Sequence, residues 1–436
     1  MALTGRTALL AALGALLVGL LLPSWTGILA VELLLLLAIL YDLARAAPVN
    51  RLQFTRSGDT SVRLGDDAHV TVVVINPSRR PLRALLRDAW PPSSWPEEAG
   101  SLSGHHRLTV EPGGRQRITT PLRPTRRGDH RADRLTVRSL GPLGLAARQG
   151  SHAVPWTVRV LPAFASRKHL PSKLARLREL DGRTSILTRG EGTEFDSLRE
   201  YVPGDDTRSI DWRATARQSA VAVRTWRPER DRRILIVLDT GRTSAGRVGD
   251  APRLDTSMDA ALLLAALAAR AGDRVDLLAY DRVSRATVKG RTAHNVLPAF
   301  VGAMAPLEPS LVESDARGLA STALRIASHR SLVVLLTGLE PSAMEEGLLP
   351  VLPLLTERHT VLVASVADPH IEEMTRARGT VEAVYDAAAA ARTQTERRNV
   401  ADRLRRHGVI VVDALPADIA PALSDAYLAL KAAGRL

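Results

Sequence analysis

The chain has no cysteine among its 436 residues. That excludes disulfides, thiolate metal sites and a thiol nucleophile. Aromatic residues make up only 3%, so any core must be built mainly from Leu, Val, Ile and Ala. Lysine occurs only at Lys168, Lys173, Lys289 and Lys431, which leaves arginine as nearly all of the 59 basic residues. No Gly-x-x-x-x-Gly-Lys-Ser/Thr phosphate loop and no His-Glu-x-x-His run is present. Gly-x-Ser-x-Gly is missing as well. Any nucleotide-driven work would therefore fall to a partner. No Lys/Arg block is interleaved with aromatics, which a single-strand nucleic-acid binder would need.

What is there is length, positive charge and pattern. The chain is long enough for two or three domains with their own cores. Its formal charge of +13 could attract nucleic acid or an anionic membrane face, but arginines on solvated faces are the preferred reading, because charged side chains usually sit exposed. Thr7 to Leu22 is almost wholly apolar. Pro23 to Gly27 interrupts it, and apolar character resumes from Ile28 to Leu43, broken only by Glu32 and Asp42. A signal peptide would leave the second run unexplained, so the pattern predicts a hairpin of two transmembrane helices over residues 1–46. Each pass is about 16 to 19 residues, short for a bilayer core of about 30 Å. Trp25 would sit at the interface. Arg6, Arg45, Arg51 and Arg56 flank the hairpin, which predicts a multi-pass protein of the cytoplasmic membrane with its soluble parts on the cytoplasmic side. Glu32 needs a partner or a proton there.

Residues 47–163 read as a small β-sandwich-like domain. Ala68 to Ile75, Arg117 to Thr120, Leu135 to Arg138 and Trp156 to Val160 have strand character, with turn clusters between them. His105 and His106 are adjacent and would point to opposite faces of a strand, so a solvated loop is expected rather than a metal pair.

Residues 164–230 form a charged connector. Leu174, Leu177 and Leu180 give Pro171 to Leu180 helical spacing. The most distinctive stretch follows: Glu194-Phe195-Asp196-Ser197-Leu198-Arg199-Glu200-Tyr201-Val202-Pro203-Gly204-Asp205-Asp206-Thr207-Arg208-Ser209-Ile210-Asp211-Trp212-Arg213-Ala214-Thr215-Ala216-Arg217. Asp205, Asp206 and Asp211 could form a metal-dependent hydrolase cluster. Alternatively Asp196, Asp205 and Asp211 pair with Arg199, Arg208 and Arg213 in a structural ion network, with Trp212 and Tyr201 packed beneath. The arginines that follow each aspartate favour the network.

The stretch from Glu194 to Arg217 closely resembles the bacterial domain-of-unknown-function 58 family. The resemblance implies a membrane-anchored protein with a von Willebrand factor type A-like domain, acting with a MoxR-type AAA+ ATPase in assembly or maturation of envelope or other complexes. It is expected to extend over the whole chain.

Residues 231–436 read independently as α/β. Ile234 to Asp239, Arg274 to Tyr280, Ser331 to Thr337, His359 to Val366 and Val409 to Asp413 are strand-like runs. Helical stretches alternate with them, over Leu254 to Arg270, Ala293 to Met304, Glu313 to Ala327, Ala343 to Thr356, Ala388 to His407 and Ala417 to Lys431. Such alternation predicts a doubly wound, mostly parallel sheet. The resemblance further implies a Mg²⁺ site in which the first strand ends in Asp-x-Ser-x-Ser, with a Thr and an Asp from two later loops. Asp239 matches the first acid, Gly241 replaces the first Ser and Thr243 stands at the second. Thr337 begins the third loop. Gly338 falls where its acid belongs, with Glu340 a weak substitute, and Thr292 is the conceivable second-loop residue. The expectation is a degenerate metal site, either metal-free or holding Mg²⁺, on a non-catalytic interaction module. Hydrolysis and nucleic-acid binding through the arginine excess are the alternatives.

Overall fold

The computed structural model describes residues 1–21, 24–96, 104–187, 194–203, 205–217, 220–227, 232–291 and 295–436. The chain divides into two compact units, Met1–Ala163 and Phe164–Leu436.

The first unit opens with two apolar helices, α1 (Gly5–Leu21) and α2 (Trp25–Arg45). Ser24 starts α2, its hydroxyl accepting from the N–H of Gly27, as an N-cap does. Among the described residues, only the stretch Trp25–Arg51 is long and apolar enough to cross a membrane. The expected pair of passes is thus one helix of spanning length beside a shorter apolar helix of 17 residues. The two helices touch where Gly14 leaves room for Val31.

Downstream the unit is β-rich. One sheet orders Ala2–Leu3, Ala146–His152, Leu135–Leu140, Leu82–Asp88 and His105–Val110, and another Gln53–Gly58, Ala68–Ile75 and Arg115–Leu122. Leu82–Asp88 alternates buried and exposed residues at every position, the period of a half-buried strand. Inner faces of both sheets share one core containing Val72, Val74, Leu82, Leu86, Leu135 and Val137. His105 and His106 lie in a strand, not the expected loop. His106 Nε2 is 3.0 Å from Thr120 Oγ1, and burial lowers its pKa.

The end of α2 is fixed to this β-structure by Asp42, which is fully buried. Its Oδ1 accepts from Leu143 N (2.8 Å), and its Oδ2 from Leu145 N (2.6 Å) and Ala146 N (2.9 Å). A Cβ on Gly141 would collide with that carboxylate, so the close approach requires glycine here. Arg148 Nε donates to Leu43 O (2.8 Å), and Arg80 donates to Ala44 O. The last carbonyls of α2 are therefore met by cations, as the helix dipole favours.

The second unit opens with α3 (Leu170–Leu187), longer than the predicted helix. Of its leucine stripe only Leu177 is buried. The signature stretch forms an antiparallel hairpin of Glu194–Glu200 against Ala222–Arg227. Beyond it lies a six-stranded sheet of β1 (Arg233–Asp239), β2 (Arg274–Tyr280), β3 (Ser284–Arg291), β4 (Leu332–Leu336), β5 (Thr360–Val366) and β6 (Ile410–Ala414), in the order β3-β2-β1-β4-β5-β6. All neighbours are parallel except β2 and β3. Helices α4 (Arg253–Arg270), α5 (Ala316–Ile326), α6 (Val381–Arg406) and α7 (Ile419–Ala432) connect or follow the strands. The helix expected over Ala343 to Thr356 is instead a π-helical turn (Ala343–Leu348), a 3₁₀ turn (Leu349–Val351) and a short helix (Leu352–Thr356). Pro350 and Pro353 lack the N–H groups that a continuous α-helix needs.

Candidate functional site

β1 buries every residue from Ile234 to Asp239 because the sheet is covered on both faces. Its last residue brings a carboxylate to the carboxyl edge. The chain runs from β1 outward to β2 and β3 on one side, then returns to β4 on the other. The reversal point between β1 and β4 is where open α/β sheets take ligands. Leu238 is in register with Leu336, so Asp239 and Thr337 emerge side by side.

Four donors converge on Asp239. Its Oδ1 accepts from Gly241 N (2.8 Å) and Ser314 Oγ (2.5 Å). Its Oδ2 accepts from Thr243 Oγ1 (2.7 Å) and Thr337 Oγ1 (2.6 Å). The two threonine hydroxyls are 3.4 Å apart. Asp239, Thr243 and Thr337 are all buried. An ionised carboxylate has about four acceptor sites, and here each is filled.

The third loop supplies Thr337 and no acid. Glu340 turns away to Arg253, whose Nη1 donates to Glu340 Oε1 (2.6 Å) and to Thr243 O (2.7 Å). Thr292 lies outside the described residues. The group that takes the second-loop place is Ser314, which the sequence reading missed. Its signal was a hydroxyl next to Asp315, the N-cap of α5. A side chain at Gly241 would collide with Ser314 Oγ and come within 2.9 Å of Val312 O. The hydroxyl of Ser314 thus occupies the space that a serine at 241 would need.

Around the cluster, Arg242 pairs with Glu313 at 2.6 Å. Asp281 is fully buried. Burial pushes its pKa up, but Arg285 and the N–H groups of Val283 and Arg282 outweigh this and hold it below the ordinary carboxylate range. A cavity of about 300 Å³ opens beside Asp239, between the ends of β1 and β4, α5 and the π-helical turn. Its walls include Leu319, Leu335, Leu336, Met344 and Leu348. Single π turns often mark functional sites.

The residues that could hold a cation are Asp239, Thr243, Ser314 and Thr337. Their oxygens suit a hard ion such as Mg²⁺, but they bring one negative charge, and each hydroxyl proton is already directed at Asp239. Among the described residues no group of three or more His, Asp or Glu side chains could hold a metal.

The signature residues are elsewhere and differently paired. Asp205 is gripped by Arg199, not Arg208, at 2.8 and 2.5 Å, and accepts from Val202 N (3.0 Å). Asp206 accepts from Arg208 N (2.9 Å). Asp211 accepts from the N–H groups of Arg213 and Ala214 and from Arg224 Nε (2.8 Å). Arg213 therefore contributes its backbone and not its guanidinium. Spacing suggested neighbours in sequence, whereas the hairpin brings Arg224 across from the other strand. Trp212 is 70% exposed and does not pack beneath the network. The side chains of Glu194 and Asp196 lie outside the described residues. Arg199 holds Asp205 below the usual carboxylate range, with Val202 N adding to it. Asp211 is lowered first by Ala214 N and then by Arg224. An open cluster of three carboxylates without arginine, as hydrolysis would require, is not what these residues form.

Two curated relatives are described only as uncharacterized proteins. An uncharacterized protein of Mycobacterium tuberculosis (strain H37Rv) is 27% identical over 193 residues, 43% of this chain and 59% of that one. The uncharacterized protein YeaD of Bacillus subtilis is 25% identical over 198 residues, 44% and 48%. The chain thus matches less than two thirds of the length of either relative. Among solved structures, the CARDB domain of the PF1109 protein from Pyrococcus furiosus aligns at 15% identity over 25% of this chain and 86% of that one. The TM-score of that alignment is 0.18. The match to a family begins inside the signature hairpin and runs through the sheet that holds Asp239: residues 197–409 match the model of the family described as Protein of unknown function DUF58.

Proposed function

We propose that this chain is a non-catalytic, membrane-anchored interaction module whose sheet edge around Asp239 docks a protein partner. On this reading the sheet is von Willebrand factor type A-like, and α1 and α2 form a two-pass hairpin in the cytoplasmic membrane with both soluble parts on the cytoplasmic side. The partner is a MoxR-type AAA+ ATPase, which would bring the nucleotide chemistry that this sequence lacks.

The observation that carries the reading is the state of Asp239. A carboxylate with all its acceptor sites filled by three hydroxyls and an N–H is not poised to move a proton, and among the described residues no nucleophile–base pair lies beside it. It sits instead at the reversal point of the sheet beside a cavity, which is where a binding surface belongs. Were Mg²⁺ to bind there, Asp239, Thr243, Ser314 and Thr337 would have to hold it and the hydroxyls to turn their protons away from Asp239, so the reading takes the metal-free form of the site.

Purification of the full chain from detergent, with and without Mg²⁺, tests the reading. The expected result is recovery of the ATPase, lost on Asp239→Ala. Failure to recover it under either condition would sink the reading.

A further inference from the structure

Resting on the docking reading, we propose that the cavity beside Asp239 receives a lysine side chain of the protein partner. The methylene stem would lie along the apolar walls, and the ammonium would end on the Asp239 hydroxyl ring.

The first support is the lining. Of the residues around the cavity, Asp239, Glu313 and Glu346 are acidic, and none is Lys, Arg or His. Glu313 is engaged by Arg242. Glu346 is exposed at the edge of the π-helical turn and has no ion-pair partner among the described residues. The remaining wall is mostly aliphatic.

The second support is proton accounting. A hydroxyl has one proton, and Thr243, Ser314 and Thr337 all spend theirs on Asp239. What these groups offer a visitor is lone pairs. The polar end of the cavity therefore accepts and does not donate, and an occupant must bring donors and positive charge. Lysine carries three donors and no acceptor on a four-carbon stem. Such a stem lies against apolar surface while its head stays polar. Guanidinium fits less well, because its planar fork seeks a carboxylate with two free oxygens, and both oxygens of Asp239 are occupied. A hydrated divalent ion would leave the aliphatic walls without a partner.

Met344 lines the cavity and is one of only five methionines, so its methyl group reports occupancy. The full chain in detergent, labelled with [¹³C-methyl]methionine and assigned with Met344→Leu, would be titrated with n-pentylammonium, n-pentanol, Mg²⁺, and Mg²⁺ with acetate. Two blocked tripeptides, Ala-Lys-Ala and its norleucine analogue, separate a peptide lysine from a free amine. The Met344 signal is expected to move with n-pentylammonium and more tightly with the lysine peptide, and not with norleucine or pentanol at equal concentration. Asp239→Asn should weaken the lysine peptide roughly tenfold or more. Ala316→Leu should block it by filling the cavity. Should Asp239→Asn fail to fold, the exposed Glu346→Gln serves instead, with a loss of about threefold. Equal binding of the norleucine peptide overturns the proposal. So does a Met344 shift that needs Mg²⁺ and acetate. Amine binding without ATPase recovery would keep the lysine pocket and remove the docking reading. ATPase recovery without amine binding would do the reverse.

Discussion

Asp42 in the first unit and Asp239 in the second are both buried carboxylates without an ion pair among the described residues, and they are satisfied in opposite ways. Asp42 accepts from three backbone N–H groups of one turn. Asp239 accepts from one N–H and three side-chain hydroxyls. An N–H in a folded turn cannot redirect its proton, whereas a hydroxyl can rotate. The first arrangement clamps a helix end to a β-hairpin and has one state. The second leaves the lone pairs of three hydroxyls to meet a cation, which is why a binding role is proposed for one acid and not the other.

The largest effect should follow Asp42→Ala. Three buried N–H groups would lose their acceptor, at a cost of about 3 kcal/mol or more to the first unit. Asp239→Ala removes an acceptor from four donors, yet its three hydroxyls can turn to other oxygens, so about 2 kcal/mol is expected for the second unit. Denaturant titration of the two variants measures both. If Asp239→Ala costs more than Asp42→Ala, the distinction between fixed and rotatable donors fails. Gly241→Ser comes next. The new side chain must displace Ser314 Oγ, and a loss of about 1 kcal/mol is expected. Ser314→Gly in the same chain should restore part of it, as coupled neighbours do. Non-additivity in that double-mutant cycle would place the two side chains in one space, and strict additivity would separate them.

The smallest effects belong to the signature hairpin, whose ion pairs are open to solvent. Arg199 and Arg224 have side chains 42% and 47% exposed, and such pairs contribute little. Asp211→Asn should lower thermal stability less than any variant above. Both Asp205 and Asp211 titrate below the ordinary carboxylate range. Their stabilisation is present above the unfolded value of about 3.9 and is lost as pH falls through their lower folded values. Hydrogen-exchange protection of the hairpin should therefore decline in acid. Asp211→Asn should flatten that decline, and an unchanged profile would mean that the pairs do not hold the hairpin.

Individual residues show where reading by pattern works. The apolar run ending at Asp239 announced a buried strand, because a strand covered on both faces has no polar alternation to hide it. Thr243 and Thr337 were legible as hydroxyls at loop starts. Ser314 was not, since it reaches Asp239 across 75 positions of chain, and only the return of the backbone before α5 brings it there. Local spacing suggested Arg208 and Arg213 for Asp205 and Asp211. Arg199, at the end of the first hairpin strand, reaches forward to Asp205 in the turn that follows, and Arg224 reaches Asp211 from the second strand, an approach that sequence separation does not record. Asp42 was visible as a polar residue in an apolar run, but its partners lie about a hundred positions away.

Taken alone, the sequence determined that the chain alternates strands and helices in its second half, that an apolar stretch leads it, and that it has no cysteine or phosphate-loop chemistry. These follow from composition and from periods set by the backbone. The tertiary structure decided which hydroxyls surround Asp239, which arginines hold the signature acids, and that Trp212 faces solvent. Those are matters of through-space approach. Packing and chain reversal set them, and no local period encodes either.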